Sequence, residues 1–298
     1  MERKKIRIAT HNAKFHSDDV FAAATLMLLL EKDHEIELIR TRDPELVAAS
    51  DYAVDVGSKY EPENNRFDHH QEGGAGVREN GIPYASFGLV WKAYGEKVSG
   101  SAEIAEELDK MMVQPVDSYD NGIQFVESKI AGVYPYDLRM ILYAFRPTWK
   151  EPNIVDDIFL QLVGYAKVLL ARQIKVLQDS AEAVEKVEEA YRTSADKRFI
   201  ILDERYPWEE ILAKHPEPLF VAYPKRGADT WSLQAIRTDL NTFDSRKLFP
   251  ESWKGKSGAD LERITGVQDS FFCHNNRFLV VAKTKEAILK LAEIALNS

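Results

Sequence analysis

Short apolar blocks alternate with polar turns through the first half of the chain. Residues 6–10 predict a β-strand, and residues 19–31, rich in Ala, Leu and Met, predict a helix that is apolar on nearly every face and therefore buried. Strands at 36–41 and 51–56, with a short helix at 44–49 between them, complete a β-α-β-α-β order. That order specifies an α/β layer architecture with a parallel sheet, in which ligands gather beyond the carboxyl ends of the strands. Further helices are predicted at 85–94, 102–112 and 137–145, with Gly95, Gly100 and Pro115 as breaks.

Residues 156–191 run without proline and are rich in Leu, Ala, Lys, Glu and Gln, which predicts one long helix or two nearly continuous ones between domains. No strict heptad persists, so a coiled coil is not expected. Beyond it, strands at 198–202, 219–223, 231–238 and 278–282 and helices at 208–214, 259–264 and 285–296 predict a smaller second α/β domain. The expected organisation is an N-terminal domain over 1–150, a helical linker over 151–195 and a C-terminal domain over 196–298.

Composition alters this picture only in its charge. At 45% hydrophobic and 29% charged residues the chain needs no unusual scaffold. Its longest strongly apolar stretch, 20–30, falls short of the roughly 20 residues that span a bilayer, and no cleavable signal pattern precedes it, so a cytoplasmic protein away from membranes is expected. Cys273, the single cysteine, stands beside Phe271 and Phe272; it reads as a buried structural thiol, with a catalytic one as the alternative. Residues 195–298 hold 16 Lys+Arg against 15 Asp+Glu, which leaves −10 on residues 1–194 out of −9 overall. So acidic a half repels a polyanion unless bound cations offset it, which argues against a long nucleic-acid footprint and leaves a short phosphorylated end acceptable.

Candidate chemistry lies at the predicted strand ends. His11, His16 and Asp18 share the turn after the first strand, where imidazole plus carboxylate suits Mn, Zn or Fe, although Ser17 or Asp18 could equally cap the following helix. Asp55 closes an apolar run, where a carboxylate needs a cation or donors to compensate its burial. In Asp68-His69-His70 one imidazole can hold a metal while the other meets substrate, with Asp68 orienting a ring. Asp117 and Asp120 read as an acidic turn, with Asp117 the preferred ligand because it follows an apolar Val116, and Asp120 able to orient Asn121, cap a turn or back up the metal shell; calcium-loop spacing is missing. In the second domain Lys225, Arg226 and Arg237 suit phosphate recognition, and ordinary surface cations are the alternative for the first two. Trp149, Trp208, Trp231 and Trp253 offer either stacking surfaces or core filling.

Taken in order, Ile8-Ala9-Thr10-His11, His16-Ser17-Asp18-Asp19, Val54-Asp55-Val56-Gly57, Phe67-Asp68-His69-His70 and Val116-Asp117 resemble the motifs of the DHH phosphoesterase superfamily, and within it the Myg group of metal-dependent hydrolases. The likeness continues through Leu202-Asp203, Pro207-Trp208, Pro250-Glu251-Ser252-Trp253, Gly266 and Phe272-Cys273-His274. It implies a two-domain protein with a cleft and two divalent cations, manganese foremost, with zinc, magnesium or cobalt also compatible. Carried over, His11, His16 and Asp55 would surround one ion and Asp18, Asp55, His69 and Asp117 the other, with Asp55 bridging and His70 facing the phosphate; the likeness around Arg237 and His274 favours them over Arg226 for gripping substrate. Two departures stand out: His16 occupies a place that is aspartate in the commoner superfamily form, and no triple glycine followed by His is found, Gly255-Lys256-Ser257-Gly258 being the nearest substitute.

The implied activity is phosphodiester hydrolysis by a two-metal-activated water, as a 3'-to-5' exonuclease on short RNA or oligonucleotide ends. A small-molecule phosphatase or pyrophosphatase, and a non-catalytic metal-binding regulatory protein, remain the alternatives; a homodimer is compatible with any of them.

Overall fold

Ile6 and Ile8 alternate with Lys5 and Arg7, giving β1 (Lys4–Thr10) one apolar and one charged face. In the computed structural model, which describes residues 3–298, the apolar face joins a core built around α1 (Ser17–Leu30), whose residues 17–26 are all buried. β2 (His34–Arg40) pairs in parallel with β1 and, after α2 (Pro44–Ala48), β3 (Tyr52–Val54) pairs in parallel on its other side. β4 (Tyr60–Glu61) and β5 (Arg66–Phe67) complete the order β2-β1-β3-β5-β4, with β4 antiparallel at the edge. The carboxyl ends of β1, β3 and β5 therefore lie side by side.

Helices α3 (Ser86–Ser99), α4 (Ala102–Leu108) and α5 (Gln114–Asp120) follow, and a π-helical turn, Asp109–Val113, joins the last two. The break expected at Pro115 does not occur. Proline lacks the N–H that an α-helix requires, and the wider turn directly before it lets the chain continue as helix. Asp117 and Asp120 consequently stand one turn apart on a helix, a correction to the acidic turn expected for them. α6 (Leu138–Tyr143) precedes α7 (Val155–Thr193), which settles the choice between one helix and two in favour of one. The chain forms two compact units, the first ending at Leu177 and the second beginning at Gln178, so the division falls within α7.

The second unit holds β6 (Phe199–Ile201), α8 (Glu209–Ala213), β7 (Phe220–Pro224), β8 (Trp231–Ala235), α9 (Gly258–Thr265), β9 (Ser270–Cys273), β10 (Leu279–Ala282) and α10 (Lys285–Asn297). Its sheet order is β6-β7-β8-β10-β9, parallel between β6 and β7 and antiparallel elsewhere. Trp208, Trp253 and Cys273 fill cores of this unit, and burial pushes the Cys273 thiol up to about 11, away from nucleophilic use. In the exposed segment from Gly255 the Lys256 carbonyl accepts the Cys273 N–H at 2.9 Å, and a β-carbon at Gly255 would meet Asn275 Oδ1 at 2.3 Å. Among the described residues no helix is long and apolar enough to cross a membrane.

Candidate metal centre

Three adjacent strand ends and two helix starts converge on one place. His11 leaves β1, Asp55 leaves β3 and Asp68-His69-His70 leave β5, while His16 and Asp18 open α1. Asp55 adopts φ 54°, a left-handed conformation that aspartate tolerates better than most residues and that turns the chain sharply at the end of β3. Asp18 reaches the start of α3: its Oδ1 accepts the Phe87 N–H at 2.6 Å and its Oδ2 accepts the Ser86 N–H at 3.1 Å. Amides at a helix N-terminus favour an anion there.

His11 Nε2 lies 3.2 Å from both Asp19 Oδ2 and Asp55 Oδ2. His69 Nε2 lies 3.2 Å from Asp120 Oδ2, 3.4 Å from Asp55 Oδ1 and 3.9 Å from Asp18 Oδ2. His70 meets Asp68 Oδ1 at 2.8 Å and lies 3.3 Å from Asp55 Oδ1, both through Nδ1, and remains half exposed. Asp68 also accepts the backbone N–H groups of Ser58, His69 and His70, so it fixes the turn that carries both histidines and orients the His70 ring. Ligand atoms of His11, His16 and Asp55, of Asp55, His69 and His70, and of Asp18, His69 and Asp120 gather within 4.8 Å in each group. Asp55 links the first two groups and His69 the last two.

Electrostatics describe a site under tension. Burial opposes charge on His11, yet the carboxylates of Asp19 and Asp55 outweigh it and push the imidazole up to about 10. For His69 burial is likewise overcome, by Asp120, Asp55 and Asp18, and the ring rises to about 11. Burial, then the like charges of Asp120 and Asp55, hold the Asp18 carboxyl well above the usual range. Asp55 moves the other way: burial works against its charge, but His11 and His69 bring it below the ordinary value.

These residues fit a cation. His11 Nε2, His69 Nε2 and Asp19 Oδ2 are buried and have no hydrogen-bond partner, although oxygens or nitrogens of opposite charge stand within 3.4 Å. Separations of that size without hydrogen-bond alignment suit ligand atoms that share an ion at roughly 2.0–2.2 Å each. Imidazole with carboxylate, and no thiolate, is a set for Mn, Zn or Fe.

Asp117, the ligand expected from sequence, stands in none of these groups. Its Oδ2 pairs with Arg78 at 2.7 Å and its Oδ1 accepts the Gly88 N–H at 3.0 Å; burial still pushes its carboxyl up to about 7. A β-carbon at Gly88 would lie 1.9 Å from Asp117 Oδ2, so glycine is what lets α3 approach this ion pair. Asp120, one turn further along α5, takes the place beside His69. Asp19 is a residue that sequence reading passed over, as a carboxylate of the helix start; its Oδ1 accepts the His16 N–H at 2.8 Å. Replacing Asp120 with Ala is expected to weaken manganese binding by about 100-fold or more, whereas Asp117→Asn should leave it within about threefold and cost about 3 kcal/mol of stability by breaking a buried pair. Calorimetric titration and chemical denaturation measure the two effects; a reversed pattern would return Asp117 to the ligand set.

In the second unit Arg237 and His274 line one cavity of about 280 Å³, together with Gln234, Phe243, Asn276 and Phe278. Arg226 stays outside it, exposed in the turn between β7 and β8. His274 Nδ1 accepts the Asn276 N–H at 3.0 Å, which leaves Nε2 to carry the ring proton.

Fold and site together define an α/β protein in two units, joined by a long helix, with His/Asp groups able to hold metal ions. Residues 7–296 match the sequence model of the MYG1 exonuclease family, described as Uncharacterised protein family (UPF0160), and the chain belongs to that family. It is 30% identical to the "MYG1 exonuclease" of Mus musculus and 31% identical to that of Bos taurus, each over 97% of this chain and 84% of the relative. It is also 31% identical to a "MYG1 protein" of Dictyostelium discoideum, over 98% of this chain and 97% of the relative.

Proposed function

We propose that this chain is a metal-dependent phosphodiesterase of the DHH kind, acting from the 3' end on short RNA or oligonucleotides. The observation that carries the reading is the set of buried, partnerless nitrogens of His11 and His69, each facing carboxylates that link one ligand group to the next. Membership in a family whose mammalian relatives are named exonucleases supports the reaction class.

His11, His16 and Asp55 would hold one divalent cation, manganese foremost, and Asp18, Asp55, His69 and Asp120 a second. Bound there, such ions acidify a water and offset charge on phosphoryl oxygens. The chain's own residues do the rest. Asp68 fixes the His70 ring through Nδ1, so that Nε2 of this half-exposed imidazole is free to donate to a phosphoryl oxygen. Arg237 and His274 would grip a second phosphate in their cavity, with Arg226 at most an outlying cation. The net −10 of residues 1–194 disfavours long duplex and suits one or two nucleotides.

Hydrolysis of 5'-phosphorylated diadenylate, adenosine 3',5'-bisphosphate and pyrophosphate by the manganese-loaded protein tests the proposal. Diadenylate is expected to turn over fastest, with no cleavage after chelation of the metal. A preference for pyrophosphate would replace the phosphodiesterase with a pyrophosphatase.

A further inference from the structure

Arg139, Tyr143 and Arg146 recur at helical spacing along α6 and the turn that follows it, so the three side chains can share one side of the segment. Arg146 donates through a terminal nitrogen to the carbonyl of Phe15, the residue directly before His16. Its guanidinium stacks 3.5 Å from the centroid of the Tyr143 ring and 5.3 Å from that of Phe15. Tyr143 in turn has its ring 6.4 Å from that of His16. Arg139 stacks on Tyr119, the neighbour of Asp120, at 4.4 Å. A phenol and a guanidinium group thus flank the candidate ligand His16, while Arg139, 3.5 Å from Asp137, packs on the residue that precedes Asp120.

Among the described residues the Nε atoms of Arg139 and Arg146 are both buried and without a hydrogen-bond partner. Leaving such a donor unmatched costs roughly 1–3 kcal/mol, more when it is charged, so an acceptor from outside the chain is the natural complement. Arg146 gives one of its five N–H donors to the Phe15 carbonyl and packs its planar fork on Tyr143. A fork of that geometry matches two oxygens of a phosphoryl group. Tyr143, half-buried against Arg146, supplies a hydroxyl donor of fixed position.

We propose that Tyr143 and Arg146, with Arg139 beside them, form the phosphate-recognition side of the metal centre and donate to non-bridging oxygens of the phosphoryl group being cleaved. The assignment of that group as the scissile one rests on the phosphodiesterase reading above; recognition of a phosphate does not. It also gives the acidic first unit a local source of positive charge beside its carboxylates. The competing role for Arg146 is purely mechanical, a tie that holds the turn carrying His16.

Three variants, Arg146→Ala, Arg146→Lys and Tyr143→Phe, separate these roles when compared with the parent in three measurements. Manganese affinity by calorimetry is expected to stay within about threefold in all of them. Affinity of the manganese-loaded protein for inorganic phosphate should fall by about 10- to 100-fold in Arg146→Ala and recover partly in Arg146→Lys, the range for a lost charge-assisted hydrogen bond. On 5'-phosphorylated diadenylate, Tyr143→Phe should lower kcat by about tenfold with KM near that of the parent. Loss of manganese binding in Arg146→Ala, with phosphate affinity of the loaded protein unchanged, would overturn the proposal in favour of the mechanical tie. If Arg146→Ala does not fold, unchanged phosphate affinity in Arg146→Lys together with unchanged kcat in Tyr143→Phe overturns it. A parent that binds phosphate, loses that binding in Arg146→Ala, and cleaves no diadenylate would reject the phosphodiesterase reading while supporting the recognition pair.

Discussion

Asp55→Ala is expected to lower turnover by at least about 1,000-fold while leaving a folded protein, because one carboxylate serves two ligand groups at once. Its Oδ2 stands 3.2 Å from His11 and its Oδ1 3.4 Å from His69, so the substitution disturbs both groups in a single step. The cores that hold the first unit together are built elsewhere, from Phe15, Phe21, Phe67 and Phe87 among others, and the change does not touch them. Asp55→Asn keeps the shape and removes the charge, so it should share the loss. Turnover within threefold of the parent, at saturating metal and substrate, would show that Asp55 is structural.

Metal binding should tighten steeply as pH rises. In the metal-free protein His11 and His69 are held protonated, up to about 10 and about 11, and each must give up its proton before its nitrogen can serve as a ligand. While both carry protons, the apparent affinity for each ion rises by about tenfold per pH unit, one histidine proton being displaced per ion, and the loading of both ions together by about a hundredfold. The same shifts act on folding: raised histidines stabilise the metal-free fold fully below their ordinary 6.5, and that support drains away as pH climbs through about 10 and 11. Calorimetric titration with manganese in buffers of different ionisation heats, between pH 6 and 8, counts the released protons directly. Heats independent of buffer and a flat affinity across that range would mean that neither imidazole is a ligand.

The strand-helix alternation of the first unit was legible because its apolar blocks are long enough to show a period. β5 was not, since Arg66 and Phe67 make a strand of two residues and no period fits in two. His11, His16, Asp18, Asp55, His69 and His70 could be singled out because each sits where a strand ends or a helix begins. In the sequence Asp120 ranks behind Asp117, as a back-up to the metal shell, on the strength of the apolar Val116 before Asp117. An apolar predecessor suggests burial, and Asp117 is indeed buried; what it cannot tell is the partner, which proved to be Arg78, from a loop nearly forty positions earlier in the chain. Asp19 carried a readable signal, three places after His16 at the spacing of a helix start, but no pattern within the turn points to its second oxygen facing His11. Tyr143 and Arg146 were invisible for a similar reason: only the packing of α6 against α1 brings them to His16.

The π-helical turn Asp109–Val113 makes the distance in sequence between α4 and the candidate ligand Asp120 a matter of rotational phase. Each residue added to or removed from a helix turns everything beyond it by about 100° about the axis. Asp117 and Asp120 differ by roughly 60° in heading, which is why one meets Arg78 and the other His69. A chain one residue shorter between Leu108 and Gln114 could wind as plain α-helix, yet it would swing both carboxylates away from their present partners. For this stretch, then, length behaves as an angle, and an insertion or deletion there acts on the centre as a change of aim.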